Sequence, residues 1–362
     1  MTPKAAKRAE GERLFAAFQA AGAVPVDADI LLPAGTLLDL YGEDIRARAY
    51  VTTDPLQGEM MLRPDFTVPV VQAHMNHGAD PARYCYLGEV FRSQDQPGSR
   101  ASEVLQVGFE LFDRDAPEQA DAEVFALFAG LLAGTSAKPV TGDIGILMAA
   151  VRGVDTSDRR KAALLRHIWR PRRFRALLDR FAGRAPIPEA RVALLQRLAS
   201  GSPAALMQAA GPFIGLRTPE DVAARAAALI EDAGDAPIAA PEAALLYDLL
   251  GLQAPAGAAL AHLRGITPLL PAIAPAVDRF AARLEALQGR GVDTGRLPFE
   301  ASLGRASMEY YDGFTFSFLA EGLPAVATGG RYDALTAVLG RGRSIPAVGG
   351  VILPDLALQV RI

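Results

Sequence analysis

Two runs decide the fold: Tyr84-Cys85-Tyr86-Leu87-Gly88-Glu89-Val90-Phe91-Arg92 and Glu103-Val104-Leu105-Gln106-Val107-Gly108-Phe109-Glu110-Leu111-Phe112. Successive side chains of a strand point to opposite faces. The first run therefore carries Tyr84, Tyr86, Gly88, Val90 and Arg92 on one face, with Cys85, Leu87, Glu89 and Phe91 on the other. The second puts Leu105, Val107, Phe109 and Leu111 on an apolar face, opposite Gln106, Gly108 and Glu110. Such period-two alternation predicts half-buried strands. The polar segment Ser93–Ser102 holds Pro97 and Gly98, so the pair reads as an antiparallel hairpin with a long loop.

Upstream of this pair, Thr2–Ala21 reads as an amphipathic helix with Leu14, Phe15 and Phe18 on one side and Gly22 as its stop. Downstream, a short strand at Asp143–Leu147 is expected to open an almost wholly helical zone reaching about Gly291. Within it, Thr218-Pro219-Glu220-Asp221 has the parts of a helix start, and Gly234 the matching stop. Pro188–Ser200, Pro203–Ala210, Pro241–Leu250 and Ala274–Gln288 read as further helices. Strand signals then return. Met308–Tyr311 and Phe314–Phe318 flank Asp312-Gly313, a preferred pair for a two-residue hairpin turn. Ala325–Thr328 and Ala347–Leu353 are short apolar runs. An antiparallel sheet drawn from both ends of the chain, with helices between, is an α+β architecture. The expected organisation is a core in two parts, residues 1–145 and 296–362, around a helical insertion at 146–295.

The composition narrows function. Half of the 362 residues are hydrophobic, enough for a sizeable core, and the formal net charge is −4. That balance lacks the basic footprint of a dedicated nucleic-acid binder. Only Lys4, Lys7, Lys138 and Lys161 are lysines among 37 basic residues, so a lone arginine carries little meaning. A single cysteine, Cys85, excludes an internal disulfide, and four scattered histidines offer no metal-ligand spacing. The first ten residues lack the apolar core of a secretory signal. The charge-free run Val124–Ala137 is too short to span a bilayer. A cytoplasmic protein with no membrane association, no metal and no cofactor is expected.

Polar residues on a buried strand face need partners or a ligand. Gln106 and Glu110, four apart on one strand, share a face about 13 Å long between them. Arg92 ends the neighbouring strand, Asp65 and Thr67 follow Arg63-Pro64, and Glu309, Tyr310 and Tyr311 precede the Asp312-Gly313 turn. Each alone reads as an edge or surface residue. Together, carboxylates, an amide, a guanidinium and phenols suit a zwitterionic amino acid. Other motifs carry less. Gly340-Arg341-Gly342 lacks the full glycine pattern of a phosphate loop. His74 and His77 have no third ligand, Cys85 reads as buried and inert, and Arg170, Arg172, Arg173 and Arg175 read as a solvated helix end.

Leu62-Arg63-Pro64-Asp65-Phe66-Thr67, Tyr86-Leu87-Gly88-Glu89-Val90-Phe91-Arg92 and Gln106-Val107-Gly108-Phe109-Glu110 resemble the catalytic core of histidyl-tRNA synthetase. Glu309-Tyr310-Tyr311 and Gly329-Gly330-Arg331-Tyr332-Asp333 resemble that family's two histidine-signature peptides, and Pro346-Ala347-Val348-Gly349 resembles the start of the third class II motif. Two departures stand out. The synthetase's activating Arg has Ala306 in its place, with Arg305 one position off, and the Arg that holds the ATP triphosphate is replaced by Leu356. With Ile362 as the last residue, no anticodon-binding domain is expected.

An amino-acid pocket without the adenylation apparatus resembles the regulatory subunits of short-form ATP phosphoribosyltransferase. The resemblance implies a class II synthetase-like antiparallel sheet flanked by helices, a dimeric core and a hetero-octamer with the catalytic subunit. It implies feedback regulation by L-histidine, the first step of histidine biosynthesis as the setting, and no tRNA charging. Residue by residue, Asp65, Thr67 and Gln106 would meet the α-ammonium of histidine, and Arg92 the carboxylate. Glu110 with Tyr310 or Tyr311 would read the imidazole. The rivals are a histidine-adenylating ligase without an anticodon domain and a scaffold whose pocket binds nothing.

Overall fold

The computed structural model describes residues 3–35, 38, 49–93, 101–211, 217–303 and 310–362. Its strands run in chain order as β1 (Val24–Pro25), β2 (Leu31–Pro33), β3 (Val51–Asp54), β4 (Gly58–Leu62), β5 (Ala82–Phe91) and β6 (Glu103–Phe112). They continue as β7 (Lys138–Asp143), β8 (Gln253–Pro255), β9 (Pro298–Glu300), β10 (Phe314–Leu319), β11 (Ala327–Arg331) and β12 (Ala347–Ile352). Among the described residues, nine of these form one sheet in the order β1-β5-β6-β12-β11-β10-β7-β9-β8, and β2-β4-β3 form a second.

The expected hairpin is there. β5 and β6 pair antiparallel over their whole length, with Tyr84 opposite Glu110, Tyr86 opposite Gly108 and Gly88 opposite Gln106. The sheet is mixed at its periphery, because β1 pairs with β5, and β7 with β9, in parallel. Strands from the last third of the chain lie at the centre: β12 runs antiparallel to β6 and places Gly349 opposite Glu110.

The two faces of β6 have separate fates. Val107, Phe109 and Leu111 are buried in the larger apolar core with Leu14, Phe18, Phe125 and Phe128. The Phe18 ring stands 5.4 Å from those of both Phe109 and Phe128, so the helices Lys4–Ala20 and Pro117–Leu131 close that face. Fully burying a side chain of this size stabilises by about 1.5–3 kcal/mol. On the opposite face a second cluster gathers Phe66, Tyr86, Phe112, Tyr311, Tyr332 and Leu335. Here the helices Thr67–His77 and Asp333–Leu339 pack together, and the polar face of β6 is enclosed between them and the sheet.

Three local expectations fail, the first two for identifiable reasons. Asp143 ends β7 and does not begin a strand, because its carboxylate accepts from the Gly145 N–H at 2.9 Å and caps the helix Ile144–Gly153. Asp312-Gly313 turns no hairpin: Tyr310 and Tyr311 are not in a strand, while Met308 and Glu309 lie outside the described residues. The Asp312 carboxylate instead accepts from the N–H groups of Asp333 and Ala334, tying this turn to the next helix. β11 begins at Ala327, two residues later than Ala325–Thr328 suggested.

The readings at Thr218, Gly22 and Cys85 hold. Thr218 and Asp221 form a reciprocal capping box at the start of the helix Pro219–Gly234, although Gly234 is that helix's last residue and not its cap. Gly22 takes φ +88 beyond the first helix, a left-handed turn open to glycine. Cys85 is fully buried, and burial pushes its thiol up to about 11. Arg172, Arg173 and Arg175 are exposed on the helix Pro171–Phe181, whereas Arg170, just before it, is half-buried and not a solvated end. No described helix is long and apolar enough to cross a membrane, and no described cluster of ligands could hold a metal ion.

Candidate functional site

Glu110 is the centre of the enclosed face and is 1% exposed. Its Oε1 accepts from Thr67 Oγ1 at 2.9 Å and from the Tyr86 hydroxyl at 3.1 Å. Its Oε2 accepts from the Tyr332 hydroxyl at 2.6 Å. Tyr310 joins indirectly, donating to Thr67 Oγ1 at 3.3 Å. Sheet register makes this arrangement possible. A Cβ on Gly108 would fall 2.1 Å from the Tyr86 ring, and one on Gly349 would fall 1.5 Å from Glu110 Oε2. Two glycines therefore leave the room that the tyrosine and the carboxylate fill.

Burial raises the Glu110 carboxyl to about 7, while the hydrogen bonds from Tyr332, Thr67 and Tyr86 hold it back. Desolvation disfavours the charged form, and three hydroxyl donors favour it. The result is a carboxyl that changes state near neutral pH. Tyr86, Tyr311 and Tyr332 are all raised by burial, with Glu110 adding to each, so their hydroxyls are neutral donors.

The other candidates gather around this centre. Gln106, on the same face of β6, is 2% exposed, and its Oε1 is buried without a hydrogen-bond partner. Asp65 is 4% exposed and accepts from the Val68 N–H at 3.3 Å. Its charge is felt by Glu110 and Tyr311. Arg92 donates from Nε to the Pro64 carbonyl at 2.9 Å, beside Asp65, and acts on Tyr311. Tyr311 is buried with its ring 4.9 Å from Tyr310. Of the seven candidates, Thr67, Glu110, Tyr310 and Tyr311 are joined by contacts or electrostatics, Asp65 and Arg92 act on them, and Gln106 shares the strand face of Glu110. Arg305, Ala306 and Glu309 lie outside the described residues.

The tyrosines that bond Glu110 are not those the sequence singled out. Tyr86 and Tyr332 hold that place; Tyr310 reaches it through Thr67. The signal for Tyr86 was its place on the polar strand face. Tyr332 was visible only within its signature peptide. Its position is secured by its neighbour Arg331, which bonds Asp121, Asp333 and the Pro117 carbonyl. Asp121 also bonds Arg283, which reaches Asp143, so a buried ionic knot ties the end of β11 to two helices and β7.

The sheet and its flanking helices are a fold of the class II synthetase type. A family model described as Histidyl-tRNA synthetase matches residues 1–254 and 222–355. The ATP phosphoribosyltransferase regulatory subunit of Allorhizobium ampelinum is 33% identical over 349 residues, covering 92% of each chain. That of Rhizobium rhizogenes is 32% identical over 357 residues, covering 94% of this chain and 95% of the relative. A solved Bacillus halodurans structure, described as an ATP phosphoribosyltransferase regulatory subunit/histidyl-tRNA synthetase, superposes with a TM-score of 0.69. It is 20% identical and covers all of this chain and 81% of that one. The chain belongs to the family of ATP phosphoribosyltransferase regulatory subunits, a histidyl-tRNA synthetase-like group.

Proposed function

We propose that this chain holds L-histidine on the polar face of β6 and transmits its occupancy to a catalytic ATP phosphoribosyltransferase subunit. The observation that carries the reading is Gln106 Oε1, an acceptor buried without a partner on the same strand face as Glu110. A buried acceptor left unpaired costs about 1–3 kcal/mol, and an α-ammonium group would supply the missing donor. Glu110, Tyr86 and Tyr332 then face the imidazole, while Arg92 serves the carboxylate. Thr67 spends its hydroxyl proton on Glu110, so it orients that carboxylate and accepts from Tyr310.

Leu356 supports a role without adenylation. It is packed against the larger core on the helix Pro354–Gln359, next to Asp355, whose carboxylate takes the Lys7 ammonium at 2.7 Å. An apolar side chain beside a carboxylate is a poor seat for a triphosphate. The function is regulatory: the chain is required by its catalytic partner in the first step of histidine biosynthesis and confers feedback inhibition by histidine. We assign the sheet-bearing segments 1–145 and 296–362 to a dimeric synthetase-like core, with 146–295 as the insertion. The assembly is a cytoplasmic hetero-octamer without nucleic acid. Ligand coupling requires different affinities for two states of that assembly.

The test is a mixing assay. The protein alone should yield no histidyl-adenylate from ATP and histidine. Added to the catalytic subunit, it should raise phosphoribosyl transfer and make it histidine-sensitive. A mixture indistinguishable from the catalytic subunit alone contradicts the reading, and so does adenylate formation.

A further inference from the structure

A cavity of about 490 Å³ lies in the helical zone, far in sequence from Glu110 and its partners. Arg159, Arg160, Arg166, Arg180, Arg191 and Arg225 line it, contributed by four helices: Asp158–Arg166, Pro171–Phe181, Glu189–Ser200 and Pro219–Gly234. One carboxylate, Asp232, lines it with them.

The charges within this group are unevenly matched. Arg160 is buried and fully employed, donating to Asp232 at 2.8 Å and to the Ala236 and Asp232 carbonyls. Arg191 takes the other oxygen of Asp232, and Arg159 is paired with Glu231. Those contacts are structural, fastening Asp158–Arg166 to Pro219–Gly234. Arg166, Arg180 and Arg225 pair with no carboxylate among the described residues, so a surplus of positive charge faces the cavity.

Arg180 is the most exposed to that imbalance. Its Nε is buried without a hydrogen-bond partner. Its guanidinium and that of Arg160 lie against the same Phe181 ring, at 4.7 and 5.0 Å from the centroid. Burial lowers the Arg180 guanidinium from its usual range; Arg191, Arg160 and Arg225 push it further down, opposed by Asp232. Like charges gathered around a partly desolvated guanidinium destabilise the empty arrangement, and an anion reverses the sign. Guanidinium groups suit planar, multidentate recognition of phosphate oxygens.

We propose that this arginine-lined cavity is a second ligand site, which takes a small polyphosphate anion: free pyrophosphate or the phosphate chain of a nucleotide. The volume admits either. Arg180 and Arg225 are the principal donors, with Arg166 at the rim and the Arg160–Asp232–Arg191 bridge as a rigid wall. The site is independent of the histidine reading, since none of its residues touches the Glu110 face.

The probe is inorganic pyrophosphate, titrated calorimetrically into the full-length protein in magnesium-free buffer. Saturable binding at one site per chain is expected. Arg180→Gln and Arg225→Gln should each weaken it about tenfold, equivalent to about 1.4 kcal/mol. Arg264→Gln, on the exposed side of the helix Ala256–Ile266, should leave it unchanged. Displacement of pyrophosphate by ATP extends the ligand to nucleotides; failure of ATP to displace it confines the site to the free anion. Since Arg180 gives up no hydrogen bond, Arg180→Gln should melt no lower than wild type without ligand and lose the upward shift that pyrophosphate gives. Absence of binding, equal weakening by Arg264→Gln, or equally tight binding of tricarballylate would overturn the proposal.

Discussion

The Glu110 face and the arginine cavity solve the problem of buried charge in opposite ways. On the sheet, the β6 carboxylate receives three hydroxyl donors, delivered by β5, the helix Thr67–His77 and the segment after β11. Among the helices, several guanidiniums share one carboxylate, and Arg180 keeps an unmet donor. The sheet site is nearly complete and lacks a single donor for Gln106. The cavity has one carboxylate, Asp232, already taken by Arg160 and Arg191, and lacks a counter-charge for Arg166, Arg180 and Arg225 among the described residues. Unspent hydrogen-bonding capacity therefore marks both, as an acceptor in one and a donor in the other, and its sign states what each can receive.

The comparison breaks most severely if the sheet site loses its support. Asp121 is fully buried and bonded by both Arg283 and Arg331. Asp121→Ala leaves two buried guanidiniums short of a partner, and the expected loss is about 3–5 kcal/mol. Urea denaturation measures it. A loss below 1 kcal/mol would mean that Tyr332 needs no such anchor.

The next effect is a pH dependence. Glu110 sits at about 7 against an ordinary value of 4.5, raised by burial. The folded protein therefore holds this proton longer than the unfolded chain does. Its stabilising contribution is complete below about 4.5 and is lost as pH rises through 7. Asp312, raised to about 7 by burial and by Asp333, titrates in the same window. The difference between wild type and Glu110→Gln isolates Glu110. Between pH 5 and pH 8 wild type should lose on the order of 3 kcal/mol more than the variant. Parallel curves would show that Glu110 stays ionised throughout.

Smaller effects sharpen the contrast. Tyr332→Phe removes a donor to a buried carboxylate, at about 1.5–3 kcal/mol, and should move the Glu110 transition still higher in pH. An unshifted transition would place the charge elsewhere. On the helical side, Thr218→Ala breaks the capping box of Pro219–Gly234. It should cost about 1 kcal/mol in thermal denaturation and leave histidine binding intact. A change in histidine affinity would show that the two regions are coupled through this helix.

What could be read in the sequence follows from the range of the forces involved. β6 was legible to the residue because alternation over Glu103–Phe112 is a local pattern with one buried face on each side. The helix start at Thr218 was legible because its parts lie within four consecutive residues. Asp312-Gly313 misled for the same reason: its hairpin chemistry is local, but the carboxylate is taken by N–H groups some twenty residues away. The site was legible as a set of polar residues and not as a circuit. Nothing in the chain shows that Tyr332 will meet a carboxylate 222 residues earlier; β12 and β11 must first be laid beside β6. Gly349 and Gly108 are the sequence's trace of that packing, each absent a Cβ where a site side chain passes.

The most direct test of the central claim is a calorimetric titration of L-histidine into wild type, Gln106→Ala and Glu110→Ala at pH 7.5. Wild type should bind one histidine per chain, and both variants should show no saturable heat while retaining the wild-type circular-dichroism spectrum. Undiminished binding in both variants would contradict the account and move histidine off the polar face of β6.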